Sequence, residues 1–356
     1  MRHILDMRAA LLRWYDEQGR TLPWRVRPED RAKGVTADPY AVWLSEVMSQ
    51  QTTLTHAAPY WEKFLSAFPS VLDLADADRK QVLSMWAGLG YYARARNLHK
   101  CAGVIRDAHE GIFPTDETTL LKLPGIGPYT AATIAAICAD EATNIVDGNV
   151  ERVISRVFAF EAPLPKGRKA LRALAATLVR ADRPGDYGQA LMDLGATVCS
   201  PKNPSCNLCP WASWCIAHKH GKETSFPRKA KKTAPPIRYG YAYVLRSGNQ
   251  FLVEQRPDKG LLGGMLGLPT SDWGERPTNH YAAPVGKNGS RNWQQMGEVK
   301  HVFTHFELRL EVFAAEIKDR CAGEWTQEIT ALPTVFKKAA MLAIKKPDPK
   351  GPVGRL

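Results

Sequence analysis

Up to about residue 222 the apolar residues recur at helical spacing, and from about residue 238 they gather into short β-branched and aromatic runs separated by turns. Leu5, Leu11, Leu12 and Tyr15 fall on roughly one side of a helix over 5–18 that stops at Gly19. The stretch 40–68 reads as helix broken at Pro59 and Pro69, 78–109 as two helices around Gly88-Leu89-Gly90-Tyr91-Tyr92, and 171–194 as further helices. Residues 223–237 carry Pro and Lys without periodicity and read as a linker. Beyond it, 239–246, 250–256 and 308–316 read as strands and 333–344 as a helix. The expected architecture is a mainly α first domain followed by a small α+β domain.

Between the helices lies a turn with a chemical use. Residues 116–122 are short and helical in pattern, Leu123-Pro124-Gly125-Ile126-Gly127 turns tightly, and 130–139 is an Ala/Ile-rich helix. A glycine turn opening a helix aims unpaired N–H groups and the positive end of the helix dipole outward, a phosphate site that grips a backbone and reads no base. An ordinary helical hairpin with a glycine cap fits the same residues. Val146-Asp147-Gly148-Asn149-Val150 follows, and on its own Asp147 or Asn149 caps a helix starting near Val150. Glu46 shares a helix face with Val42, Trp43, Ser49, Gln50 and Thr53, a mixed strip that suits either a cleft or water. Trp24 and Arg25, in Leu22-Pro23-Trp24-Arg25, fit a pocket wall or a packed domain seam.

Charge and cysteine usage narrow the class. Forty-eight Lys and Arg against 36 Asp and Glu give a net +12, which suits a polyanionic partner and salt-sensitive binding. No run of 18 apolar residues occurs, and the start reads as an amphipathic helix and not as a signal sequence, so the expected location is cytoplasmic. Four of the seven cysteines, Cys199, Cys206, Cys209 and Cys215, are spaced C-x6-C-x2-C-x5-C, a metal cluster and not a disulfide scaffold. Four thiolates hold either zinc or an iron–sulfur cluster, and generic spacing favours zinc.

Taken together, LPWR, SEVMSQQT, GLGYYARARNL, LPGIGPYTA, VDGNVERV and the four-cysteine loop resemble the adenine DNA glycosylases, within the endonuclease III (helix-hairpin-helix) superfamily. The resemblance implies a helical glycosylase domain over 1–222, a six-helix barrel module plus an iron–sulfur module. A basic linker over 223–237 and a Nudix-like lesion-recognition domain over 238–356 complete the chain. It implies Glu46 as general acid, Asp147 as the carboxylate facing the sugar cation, and Tyr129 and Asn149 orienting intermediate and water. Trp24 and Arg25 would line the base pocket. Gln51, Leu89 and Tyr91 would enter the duplex, with Thr52, Gly125 and Gly127 also on DNA. The cysteines would hold a 4Fe-4S cluster, and Phe303, Thr304 and His305 would read the lesion. The implied substrate is double-stranded DNA with adenine opposite 8-oxoguanine or guanine, bound by a monomer.

The chain departs from that pattern in places. Ser49 stands where the family has an apolar residue, Thr304 where it has Ser, and the charged stretch 26–37 is longer and is assigned no function. RPDKGLLGGMLGLPT resembles the segment ahead of a Nudix catalytic box, yet the acidic REXXEE run that would hold magnesium is absent, which argues against nucleotide hydrolysis. Three rivals are an oxidised-pyrimidine glycosylase/lyase, a non-catalytic lesion-binding protein and a redox-sensing iron–sulfur regulator. The lyase needs a lysine where this chain has Tyr129, and the regulator leaves the paired catalytic motifs unexplained.

Overall fold

The computed structural model describes residues 2–230, 235–257, 260–275, 293–303 and 305–344. It separates into two compact units, Met1–Lys231 and Lys232–Leu356.

The first unit is helical throughout: α1 (Arg2–Gln18), α2 (Pro28–Arg31), α3 (Pro39–Ser49), α4 (Leu54–Ala67), α5 (Val71–Asp76), α6 (Arg79–Met85) and α7 (Ala93–Ala108) lead to α8 (Glu117–Leu120) and α9 (Pro128–Ala139). The unit continues with α10 (Gly148–Val157), α11 (Arg168–Ala176), α12 (Pro184–Asp193) and α13 (Ile216–Lys219). Two apolar cores hold these helices. One gathers α3 to α9 around Trp43, Leu44, Met48, Phe64 and Trp86. The other joins α1 to α10, α11, α12 and the cysteine loop through Leu11, Tyr15, Ile154, Leu194 and Trp211. Helix α9 is the wall between them. Eight of its twelve residues are buried, with Ile134 and Ala135 on the first core and Ala132 and Ala136 on the second. An all-round apolar helix of this kind has no solvent face, so its burial and not its intrinsic propensity fixes it in place.

Pro59 does not break its helix. It lies inside α4, and the chain breaks earlier, at Gln50–Thr53 between α3 and α4. A proline removes one N–H bond, but the buried face of Ala57, Trp61 and Phe64 continues past it and outweighs that loss. The stretch 223–237 is also less of a linker than its composition suggests. Phe226 is buried in the second core, Arg228 pairs with Glu161 at 3.0 Å, and the Leu164 N–H donates to the Arg228 carbonyl at 2.8 Å. Residues up to 230 are therefore fixed to the first unit.

The second unit is a mixed sheet covered by one helix. Strands β1 (Ile237–Ser247), β2 (Gln250–Gln255), β3 (Leu266–Gly267), β4 (Gln294–Val302) and β5 (Glu307–Glu316) lie in the order β3-β2-β1-β5-β4, with β6 (Glu324–Thr326) also on β2. Strand β1 pairs with β5 in parallel from Ile237↔Glu307 to Arg246↔Glu316, and the other pairs are antiparallel. Helix α14 (Thr334–Ile344) buries Val335, Phe336, Ala339 and Ala340 in the core formed with the sheet.

Candidate active site

A cavity of about 610 Å³ opens in the first unit, beside α9 and lined from both cores. Trp24, Arg25, Glu46, Gln51, Thr52, Tyr129, Asp147 and Asn149, eight of the residues singled out in the sequence, all line it. Each arrives from a different local cause. Glu46 rides on α3, which starts because Pro39 sits at its first position and the Asp38 carboxylate accepts from the Tyr40 N–H at 3.0 Å. Val42 and Ser49 share its cavity-facing strip while Trp43 turns into the core. Tyr129 opens α9, and Asp147 stands immediately before α10. Trp24 is set by an edge-on contact with Trp61, ring centroids 5.6 Å apart.

Asp147 caps a helix and lines the cavity at once. Its Oδ1 accepts from the Val150 N–H at 2.7 Å, capping α10, and its Oδ2 accepts from Asn149 Nδ2 at 3.0 Å. The same carboxylate faces the cavity. Burial pushes its acidity toward the neutral form, and the donors on Val150 and Asn149, with Arg152 nearby, oppose that shift. Across the cavity, desolvation raises Glu46 to about 7; the Tyr129 hydrogen bond and the Arg25 charge pull it down, and Asp147 pushes it up. The Tyr129 O–H donates to Met192 Sδ at 3.2 Å, and the phenol lies close enough to Glu46 to lower its carboxyl by hydrogen bonding. Burial, with Glu46 and Asp147 beside it, keeps that phenol neutral. Two carboxyl groups with separate environments, one held as an acid near neutrality, form an acid and electrostatic pair.

The sequence reading missed the groups that hold this site. Asp193, fully buried at the end of α12, accepts from Arg25 Nη1 and Nη2 at 2.7 and 2.9 Å and from the Arg20 backbone N–H at 2.8 Å. Burial alone would raise its carboxyl, but the Arg25 bonds and the charges of Arg25 and Arg20 bring it below the ordinary value. Gln189, 2% exposed on α12, lines the cavity with its amide nitrogen unpartnered among the described residues. An acid and an amide flanking the apolar residues of Gln189-Ala190-Leu191-Met192-Asp193-Leu194 were the available signal.

The two loops expected at the duplex are tied together by Arg94. Its guanidinium donates to the Val47 and Met48 carbonyls at 2.8 and 3.0 Å and to the Leu89 carbonyl at 3.0 Å, and reaches Thr52 Oγ1 at 3.3 Å. Gln51 and Tyr91 both hold left-handed backbone, φ +58° and +49°, a conformation that non-glycine residues adopt at a cost. Tyr91 is 56% exposed, whereas Leu89 is only 5% exposed and packs in the first core. Leu89 therefore does not stand out as a wedge in this conformation: the apolar side chain is satisfied by its neighbours. In the hairpin, Gly125 has φ +79° and its missing Cβ would meet Asn97 Cβ at 2.7 Å, so no other residue fits. Gly127 precedes α9 with no side-chain cap, leaving the first-turn amides to a ligand.

The four cysteines line one cavity with Val153, Leu194, Val198 and Trp211. None of the seven cysteines is in a disulfide. Burial pushes Cys206 up to about 11 and Cys209 to about 12, and raises Cys215, each further through neighbouring cysteines. Four sulfurs crowded in apolar surroundings are unfavourable as thiolates unless a cation neutralises them, so the set fits a thiolate-bound metal centre. Arg156, 1% exposed, gives Nη1 to Cys199 Sγ at 3.2 Å and bonds the carbonyls of Ser200 and Pro201 at 2.7 and 2.9 Å. Arg152, one turn earlier on α10, bonds Asn149 Oδ1 at 2.9 Å and the Cys199 carbonyl at 2.8 Å. Helix α10 thus begins at Asp147 and carries the arginines that hold the cysteine loop.

In the second unit Phe303 ends the β4 side of a tight turn, its N–H donating to the Phe306 carbonyl at 2.8 Å. It packs on Phe306, His301 and Trp273, ring centroids 5.1, 4.5 and 6.1 Å away. His305 is exposed, and Thr304 lies outside the described residues.

Comparison with known proteins accounts for both units. Residues 44–180 match the HhH-GPD superfamily of base excision DNA repair proteins, and residues 240–343 match the NUDIX domain. The adenine DNA glycosylase of Rattus norvegicus is 34% identical over 91% of this chain and 73% of its own length. That of Homo sapiens is 35% identical over 88% and 68%, and that of Buchnera aphidicola subsp. Schizaphis graminum is 33% identical over 84% of each. Among solved structures, a thermostable thymine-DNA glycosylase superposes with a TM-score of 0.55 at 27% identity, over 62% of this chain and 98% of the other. An endonuclease III–DNA complex superposes with a TM-score of 0.51 at 18% identity over 62% and 97%, a likeness of fold. A helical unit enclosing two carboxylates, a Nudix unit and relatives aligned over most of their length lead to one assignment: the chain belongs to the adenine DNA glycosylase family of base-excision-repair enzymes.

Proposed function

We propose that this glycosylase removes adenine mispaired with 8-oxoguanine, or with guanine, from duplex DNA by hydrolysis and without strand cleavage. The observation that carries the proposal is the pairing of a carboxyl near neutrality, Glu46, with the capped carboxylate Asp147 across one cavity. Cleavage of a deoxyadenosine N-glycosidic bond needs a proton on the departing purine and negative charge near the sugar. Neutral Glu46 gives its proton to the purine N7, and the bonding pair leaves with the base. Positive charge then develops on the sugar and is stabilised by Asp147, with Tyr129 and Asn149 orienting the intermediate and the attacking water. The water gives its proton to the Glu46 carboxylate as the new C–O bond forms, which restores the acid. Trp24 and Arg25 wall the base pocket. Gln51 and Tyr91, from the loops fixed by Arg94, fill the space that the extruded nucleotide leaves, since unstacking costs a few kcal/mol. The hairpin amides of 125–127 and the net +12 hold the phosphate backbone.

We further infer that Cys199, Cys206, Cys209 and Cys215 hold a 4Fe-4S cluster, as the family resemblance implies for this spacing. When bound, the cluster supplies a four-point cross-link that fixes the loop. The second unit reads the 8-oxoguanine strand through the turn at Phe303, Thr304 and His305. A Nudix fold without its acidic box supports recognition in place of hydrolysis. The enzyme acts as a monomer in the cytoplasm. Single-turnover excision from duplexes with adenine opposite 8-oxoguanine, guanine or thymine tests this reading. Release should be fastest opposite 8-oxoguanine and negligible opposite thymine, and a rate indifferent to the opposing base would sink it.

A further inference from the structure

The charge beside the acid is itself controlled. Arg25 lines the cavity with Glu46, and its positive charge acts on that carboxyl. A free buried guanidinium there would favour the ionised form of Glu46 and remove the proton needed for chemistry. The guanidinium is not free. Its side chain is 5% exposed, and both terminal nitrogens meet both oxygens of Asp193, whose side chain is 0% exposed. Bidentate pairing in a desolvated setting fixes both the position and the charge of the arginine. Arg20, the second cation on Asp193, is 27% exposed and therefore partly screened.

We propose that Asp193 is a positioning residue for base release: by clamping Arg25 through both carboxylate oxygens it offsets part of that charge beside the cavity and so helps Glu46 hold its proton. The proposal rests on Glu46 being the general acid. The groups facing Glu46 are Arg25 from the segment after α1, Tyr129 from α9 and Asp147 ahead of α10. Those facing Asp193 are Arg25 and Arg20, with Tyr15 of α1 close by. Asp193 is the buried anion that sets the balance at Arg25. Desolvation raises Glu46, so activity is present below its titration and is lost as pH rises through about 7.

The test is the pH profile of single-turnover adenine release for the parent, Asp193→Asn, Arg25→Met and the double variant. Asp193→Asn leaves the guanidinium uncompensated and should move the alkaline limb down by about one pH unit, so the rate on the alkaline side falls roughly tenfold more than on the acid side. Arg25→Met leaves an uncompensated carboxylate and should move the limb up. The double variant removes both charges and should return the limb close to that of the parent. A purely structural Asp193 would lower the rate by one factor at every pH, and that result overturns the proposal. So does a double variant that keeps the limb of Asp193→Asn. If Asp193→Asn does not fold, the upward displacement of the limb in Arg25→Met and its return to the parent's position in the double variant carry the same sign test. A parent without the alkaline limb, or an active Glu46→Gln, means that the assignment of the acid has failed. A normal parent and an inactive Glu46→Gln with an unmoved Asp193→Asn limb refute the Asp193 proposal alone.

Discussion

Glu46 and Asp147 show how two carboxyl groups on one cavity meet different surroundings. Glu46 loses water and gains a phenol donor, while Asp147 keeps two local donors that favour its charge. Because Asn caps a helix about as well as Asp, Asp147→Asn should cost less than about 1 kcal/mol of stability while removing base release. Thermal unfolding and single-turnover assays on the same sample separate capping from catalysis, and a variant that loses both in step would show that the cap was the only role. The raised Glu46 also has a stability signature. Its folded value lies above the unfolded one, so the burial penalty is absent below about 4.5 and fully present above about 7. Glu46→Gln should therefore be more stable than the parent at pH 8, by roughly 1–3 kcal/mol, and nearly equal at pH 4. Equal melting temperatures at both pH values would contradict the burial argument. Tyr129 cannot form an imine with a sugar aldehyde, so borohydride added during turnover should trap little covalent DNA complex; efficient trapping would require another lysine at the site.

Among the elements, α9 and α10 connect the hairpin, the two-carboxylate cavity and the cysteine loop. Helix α9 starts at the phosphate-gripping hairpin and presents Tyr129, and α10 starts at Asp147 and ends in the arginines under the cysteine loop. Much of this was legible. The glycine spacing of the hairpin and the C-x6-C-x2-C-x5-C loop mark fixed local geometries, and both recur in the structure as contiguous units. Other elements were not. Strand β4 is a polar edge strand, largely exposed and interrupted by a bulge near Gly297, so no alternation announces it. Leu89 sits in a motif that suggests exposure, yet its apolar side chain finds a core. The partners of Asp193 were not legible, because Arg20 and Arg25 lie 173 and 168 residues away. We expect the purified protein to be yellow-brown with about four irons bound by the four thiolates, and iron analysis with the visible spectrum tests it. A colourless protein carrying one zinc would reverse the cofactor assignment.

For the whole molecule, the division at Lys231 separates the helical unit that holds the two-carboxylate cavity from the Nudix unit, with catalysis proposed for the first and lesion reading for the second. A chain ending at Lys231 should still excise adenine, with a narrower preference for 8-oxoguanine over guanine opposite it. One or two hydrogen bonds to the lesion are worth on the order of 1–3 kcal/mol, so the loss should be partial. Full retention of the preference would assign lesion reading to the helical unit. The division into a helical and a β-rich unit was legible from composition, since the β-branched runs lie on one side of the Pro/Lys stretch. The docking of residues 226–230 was not, because Phe226 is buried by contacts distant in sequence. The account as a whole stands on a proton held by Glu46. Its most direct test is single-turnover release of adenine from a duplex carrying adenine opposite 8-oxoguanine, measured for the parent and for Glu46→Gln beside their duplex affinities. The account predicts release by the parent, none by the variant and similar affinity for both; base release by Glu46→Gln would contradict it.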